Sequence, residues 1–187
     1  MKIRSEQLKK IAVAKGVTPE QLAPAVAEAG IPADRAESAV RNWMAGRDQP
    51  LCKPRAIAAM AQQLGVASKD IAKFTSKVRA HRGSPTKAKL VVDMIRGKSV
   101  ESAMNMLTFT TKRAALNVKK ALQAAREEAM LNDADVERLM VIESTATEGP
   151  RMKRFQPKDR GRAHPIIKKF SHITVSVAER TPGKRRK

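Results

Sequence analysis

Residues 149–172 read Gly149-Pro150-Arg151-Met152-Lys153-Arg154-Phe155-Gln156-Pro157-Lys158-Asp159-Arg160-Gly161-Arg162-Ala163-His164-Pro165-Ile166-Ile167-Lys168-Lys169-Phe170-Ser171-His172. Of these 24 residues eight are basic and one, Asp159, is acidic. On either side the apolar period is two: Leu139-Met140-Val141-Ile142 before, and Ile173, Val175 and Val177 alternating with Thr174 and Ser176 after. That period marks two strands of a sheet. A structureless connection of this length is rare inside a compact domain, so the segment is read as an extended hairpin. With a turn of about four residues, each arm has about ten and reaches roughly 33 Å at ~3.3 Å per residue. Such a ribbon has too little apolar surface to hold itself in water and needs a partner, which its charge makes a polyanion. Gly161 allows positive φ at the tip, and Arg160 and Arg162 can each fork onto phosphate or stack on a base. His164-Pro165 predicts a break or bulge in the returning arm, because proline gives the ladder no donor.

Upstream, the pattern is helical. Ser84-Pro85 is an N-cap with proline at the first helical position, Gly97 is a stop, and Ala88, Val91, Val92 and Ile95 form the stripe between them. Ser99 caps a shorter helix with Val100, Ala103, Met104 and Leu107 on one side. A long helix follows from about Lys112 to Met130, carrying Ala114, Val118, Ala121, Leu122, Ala125 and Ala129 at helical spacing. Before these, Phe74, Ser76, Val78, Ala80 and Arg82 alternate as a weak strand with Val78 and Ala80 inward. Met94, Met104, Met106, Met130 and Met140 fall on or near apolar stripes and are read as core filler.

Residues 1–73 form a different unit, joined through a short polar stretch at 67–75. Leu8, Ile11 and Ala12 give a first helix stopped by Gly16. Thr18-Pro19-Glu20-Gln21 starts a second, with Gln21 placed to close a capping box. Pro32-Ala33-Asp34 opens a third, carrying Ala36, Ala39, Val40 and Trp43, and a fourth runs from about Pro54 to Leu64.

Charge sets the class of partner. The 187 residues hold 38 Lys and Arg against 18 Asp and Glu, a formal net charge of +20. Residues 148–187 alone carry 13 basic and 3 acidic residues, half of that excess. Nucleic acid is the natural counterpart. With four Phe, one Trp and no Tyr, a base-stacking platform is excluded and binding rests on charge and shape. The single cysteine, Cys52, permits no intrachain disulfide, and no apolar run approaches the roughly 18 residues of a membrane span. No membrane contact is therefore expected. Met1-Lys2-Ile3-Arg4-Ser5-Glu6 has no signal core, so a cytoplasmic protein is expected.

Catalytic and metal chemistry find no support. His81, His164 and His172 have no metal-ligand spacing, and Asp133-Ala134-Asp135 lacks the glycine and distant glutamate of a calcium loop. Ser171 and His172 are neighbours on a strand and point to opposite faces. No enzyme activity and no cofactor are expected.

Two resemblances complete the reading. Ser84-Pro85-Thr86-Lys87-Ala88-Lys89-Leu90-Val91-Val92-Asp93-Met94-Ile95-Arg96-Gly97-Lys98 resembles the signature helix of the universal large-subunit ribosomal protein twenty-two family. Glu148-Gly149-Pro150-Arg151-Met152-Lys153-Arg154, Gly161-Arg162-Ala163 and Ser171-His172-Ile173-Thr174-Val175 continue it, in register from about Phe74 to Arg180. The resemblance implies an α+β domain over 74–187, three helices packed on a small antiparallel sheet with the long hairpin at 149–172 and a basic tail at 181–187. It implies a structural constituent of a bacterial-type large ribosomal subunit that binds large-subunit rRNA and supports assembly. In that family the globular part lies near the exit of the nascent-chain tunnel and the hairpin lines its wall. The tip comes near ribosomal protein four and the macrolide region, with the nascent polypeptide as a further partner.

The residues so implicated in rRNA binding are Arg79, His81, Arg82, Lys87, Lys89, Arg96, Lys98, Arg151, Lys153, Arg154, Lys158, Arg160, Arg162, Lys168, Lys169 and His172. Met152, Lys153, Arg154, Arg160, Gly161 and Arg162 would form the tunnel-facing tip. The second resemblance joins Thr18–Ala23, Trp43-Met44-Ala45-Gly46, Pro50 and Ala61–Val66 to the Cro-like phage-repressor helix-turn-helix family. It implies a small all-α domain over 1–73 with 33–44 as recognition helix. That unit reads equally as a DNA-binding element, which would make the chain a regulator, or as a helical bundle for protein contacts.

Overall fold

A computed structural model describes residues 1–180; the basic tail expected at 181–187 lies outside the described residues. In chain order the elements are β1 (Lys2–Ile3), α1 (Ser5–Lys15), α2 (Pro19–Glu28), α3 (Ala33–Met44), α4 (Pro54–Gln63), α5 (Ser68–Ile71), β2 (Ala72–Arg82), α6 (Pro85–Ile95), α7 (Val100–Phe109), α8 (Arg113–Met130), β3 (Leu139–Pro157) and β4 (Ala163–Glu179). Two compact units result. One holds Met1–Phe74 together with Glu128–Ala134 and the described residues from Ala178; the other holds Thr75–Glu127 and Asp135–Val177.

In the first unit the helix stops and starts fall where the sequence places them. Gly16 adopts the left-handed conformation (φ 63°) after α1, and the Thr18 N–H donates to Gln21 Oε1 at 3.1 Å before α2. Leu8, Leu22, Val26, Trp43, Ile57 and Met60 are fully buried and form one core drawn from residues 3–72. The polar end of Trp43 is satisfied, its Nε1–H donating to the Pro50 carbonyl at 2.7 Å.

The unit is not all-helical: β1 pairs antiparallel with the start of β2, Lys2 opposite Lys73 and Ile3 opposite Ala72. Nor is 67–75 a polar joint. It holds α5 and the first residues of β2, and Ile71, Ala72 and Phe74 have no exposed surface. The polar run Ser68-Lys69-Asp70 masks an apolar one immediately after it. Lys69 pairs with Glu179 at 3.2 Å and donates to the Asp133 carbonyl, and the amino terminus pairs with Glu128. The segments beyond residue 74 are thereby tied into this unit.

The second unit has α6, α7 and most of α8 with the rest of β2 and with β3 and β4, adjacent in the antiparallel order β2-β4-β3. Its core is the expected one: Val91, Val92, Ile95, Val118, Leu122, Ile173, Val175 and Val177 are all buried. The buried Ser144 hydroxyl donates to the Val92 carbonyl at 2.7 Å, fastening β3 to α6. The methionine expectation holds only in part, since Met94, Met104, Met106 and Met140 are half-buried and Met130 is exposed.

Beyond the core, β3 and β4 continue as a two-stranded ribbon in which every residue from 150 to 169 is exposed. The turn is Lys158–Arg162, closed by Lys158 N–H to the Arg162 carbonyl at 2.6 Å and Arg162 N–H to the Asp159 carbonyl at 3.2 Å. Arg160 (φ 53°) and Gly161 (φ 73°) both take left-handed backbone there. The strand does not end at His164-Pro165, where a break or bulge is expected: β4 runs through both residues. In a ribbon of two strands every second N–H faces away from the partner, so a proline can sit at such a position at no cost to the ladder.

Strand β2 departs from its expected alternation near the end. Ala80 has φ 53° and is exposed, while His81 turns inward. A left-handed residue inside a strand reverses which side the next side chain takes. The Ala80 N–H donates to His172 Nδ1 at 3.0 Å.

Candidate nucleic-acid interface

Two basic surfaces emerge in the second unit. The first is the ribbon. Arg151, Lys153, Arg154, Lys158, Arg160, Arg162, Lys168 and Lys169 are all exposed along it, as are Met152 and Gly161. Arg160, Gly161 and Arg162 make the turn, whereas Met152, Lys153 and Arg154 lie on β3 below it. Arg151 pairs with Glu148 at 2.6 Å, and that bond and charge hold the Glu148 carboxyl below its usual range.

The second surface is a cleft where β2 runs into α6. Its larger part, about 610 Å³, is lined by Arg82, Lys87, Leu90, Lys112 and Arg113 among others. An adjoining hollow shares Arg82, Gly83, Ser84 and Arg113 with it and adds Ile167, Lys168 and Lys169 from β4. No acidic side chain lines either part. The positive end of the α6 dipole and its unpaired first N–H groups add to the field, as Ser84 stands at the cap without a side-chain bond. Anions are favoured there.

His81 belongs to the cleft's floor rather than its surface. It is 6 % exposed, and its Nδ1 shares a hydrogen bond with the Asn117 side-chain amide. Burial, and secondarily the nearby Arg113 charge, push its pKa below the ordinary value. A histidine so placed is neutral at pH 7 and supports the wall. Gly83 covers it closely, for a Cβ added there would lie 2.7 Å from His81 Nε2. His172 is half-buried, with Nδ1 engaged by Ala80. Both histidines therefore do structural work in the free protein.

The remaining predicted residues are dispersed. Arg79, Lys89 and Lys98 are exposed outside the cleft. Arg96 pairs with Asp93 at 2.7 Å and donates to the Ser144 carbonyl. Lys112 and Arg113 were not anticipated, although one signal existed. Two cations open α8, where the helix dipole favours acids, and such a misplacement points to an external anion. Among the described residues no group of three His, Cys, Asp or Glu side chains could hold a metal ion. No helix among them is long and apolar enough to cross a membrane.

Residues 76–178, more than half of the chain, match the family described as ribosomal protein L22p/L17e. The chain belongs to that family. Membership makes it a structural, rRNA-binding protein of the large ribosomal subunit with a role in translation. Family proteins of this kind are not enzymes. The matched span includes both basic surfaces, the cleft and the ribbon.

Proposed function

We propose that the L22-type part of this chain anchors on rRNA through the cleft and sends its ribbon among the rRNA domains to line the nascent-chain exit tunnel. The turn at Lys158–Arg162 would face the tunnel, with a neighbouring large-subunit protein of the ribosomal protein four type and the nascent polypeptide nearby. The observation that supports this best is the ribbon itself: some twenty consecutive residues, 150–169, none of them buried and eight of them basic. An arm of this kind is stable only in a matrix that neutralises it. The same proposal gives the chain a role in subunit assembly, in a cytoplasmic, bacterial-type ribosome. Deleting residues 151–162 should leave cooperative unfolding of the isolated protein intact, because the core lies elsewhere. It should alter tunnel-dependent behaviour such as the antibiotic response of ribosomes carrying the variant. A deletion variant that no longer unfolds cooperatively would count against the reading.

Residues 1–73 are proposed as a helix-turn-helix-like contact module at the outer surface of the subunit. The exposed part of α3 mixes Asp34 with Arg35, and Arg41 is tied to Glu37. Such a helix is a poor match for a phosphate backbone, so a DNA-binding role is not favoured. The module's residues 3–72 close their own core, which supports independent folding. A chain lacking 1–73 should retain rRNA affinity close to that of the full chain. Loss of subunit incorporation on that truncation would place the module in the binding core.

A further inference from the structure

The cleft at the start of α6 is more than a patch of cations, because part of its lining is apolar. Arg82, Arg113, Lys168 and Lys169 gather on the side toward β4. The adjoining, larger part is lined by Leu90, Lys87 and Lys112 and by the nearly buried Ala88 and Ala114. Leu90 is 60 % exposed, on the helix that also presents Lys87 and Lys89 to solvent. A surface meant only for a phosphate backbone gains nothing from an exposed leucine between lysines. An A-form duplex offers phosphates and 2′-hydroxyls outward and keeps its bases stacked within, so it has no apolar group to set against this wall. A nucleotide outside the helix offers both at once, a phosphate and, one sugar away, a flat apolar base.

Resting on the rRNA reading above, we propose that this cleft takes one unpaired, splayed-out nucleotide. Its phosphate lies among Arg82, Arg113, Lys168 and Lys169, and its base packs on the exposed Leu90 side chain. The α6 N-terminus, with Pro85 at its first position and Ser84 uncommitted at the cap, directs N–H groups toward the same phosphate. Gly83 leaves room for the His81 ring, and the His81–Asn117 pair fixes the floor beneath the phosphate. The cleft thereby selects a bulge or internal loop, and the ribbon supplies sequence-independent attraction.

The test uses the full chain and deproteinised large-subunit rRNA from the same organism. In the variant Leu90→p-benzoylphenylalanine, illumination should cross-link position 90 to the base of one or two unpaired nucleotides, mapped by primer-extension stops. Leu90→Ser should weaken rRNA binding by roughly tenfold, the scale of burying part of one leucine side chain, while the salt dependence stays that of the wild type. Leu90 is exposed, so both variants keep the fold, and circular dichroism verifies it. Cross-links into paired helices, no cross-link at all, or unchanged affinity in Leu90→Ser each overturn the nucleotide proposal. The underlying reading fails differently. If Arg82→Ala with Arg113→Ala leaves both affinity and salt slope unchanged, the cleft is not a phosphate site at all.

Discussion

The ribbon and the N-terminal module are built on opposite principles. In the module Leu8, Leu22, Val26 and Trp43 have no exposed surface, and they share one core drawn from residues 3–72. In the ribbon Phe155 is 76 % exposed and no residue from 150 to 169 is buried. The module pays its conformational entropy through burial. The ribbon has no such return within its own chain and leaves its stabilisation to counter-charge. One region is thus specified by its sequence and the other by sequence and partner together. Substitution, salt and pH should act on the two in different measure.

Salt should produce the largest effect, and on the ribbon. If five to eight of its basic residues neutralise phosphates, log K for rRNA should fall against log salt with a slope of roughly −4 to −7, at about −0.9 per contact. Arg151, already paired with Glu148, contributes the least. Filter binding of the full chain across a salt series measures the slope; a value near −1 would show that the ribbon is not held electrostatically. The same series should leave the unfolding of the module almost unmoved. Trp43 is the only tryptophan, so its fluorescence reports that unfolding directly.

Next in size is a cavity in the module. Leu22→Ala should cost about 2–5 kcal/mol, because a fully buried leucine leaves both lost transfer energy and a void. Urea unfolding followed at Trp43 gives the figure, and rRNA affinity should change little. A parallel loss of affinity would mean that the module belongs to the binding surface.

The sequence revealed these two regions unequally, for physical reasons. Helix boundaries were legible because Thr18-Pro19, Ser84-Pro85, Gly16 and Gly97 act locally through caps and left-handed stops. The ribbon was legible because charge and length together leave an extended hairpin as the economical solution. By contrast, β1 has two residues, too few for any period to show. Ala80 takes positive φ without being glycine, so no residue type announced the reversal that buries His81. The cleft is the clearest case: Arg82, Arg113 and Lys168 are far apart in sequence and meet only through tertiary packing. The misplaced cations at the start of α8 were the single local clue. Pro165 does not end the strand, since a two-stranded ribbon tolerates a missing donor that an interior strand does not.

A pH series sharpens the comparison from the cleft side. His81 has a folded-state pKa below its ordinary value, through burial first and the Arg113 charge second. As pH falls through about 6.5, the unfolded chain takes up this proton while the folded chain resists it. Stability should therefore fall as pH is lowered from about 7.5 to 5.5. His81→Gln should remove that part of the slope whatever its effect at pH 7.5, and paired urea titrations of the two proteins isolate the difference. Identical slopes would show that His81 is not held neutral by the fold. The ribbon's exposed arginines and lysines should contribute nothing in this window, because they stay charged throughout.

The smallest expected effect falls where a large residue is removed from the ribbon. Phe155→Ala deletes an aromatic ring, a change worth about 3–5 kcal/mol in a core. At a residue 76 % exposed, with no buried neighbour in the ribbon, it should move the stability of the free protein by less than about 0.5 kcal/mol. The ring's role, on the reading above, appears only once RNA surrounds it, so affinity for rRNA should fall by more than stability does. Measuring both on one variant puts the two principles side by side, since the same kind of deletion at Leu22 should give the reverse order. A stability loss comparable to that of Leu22→Ala would show that the ribbon folds back onto apolar surface in the free chain. It would then no longer be an arm that waits for its partner.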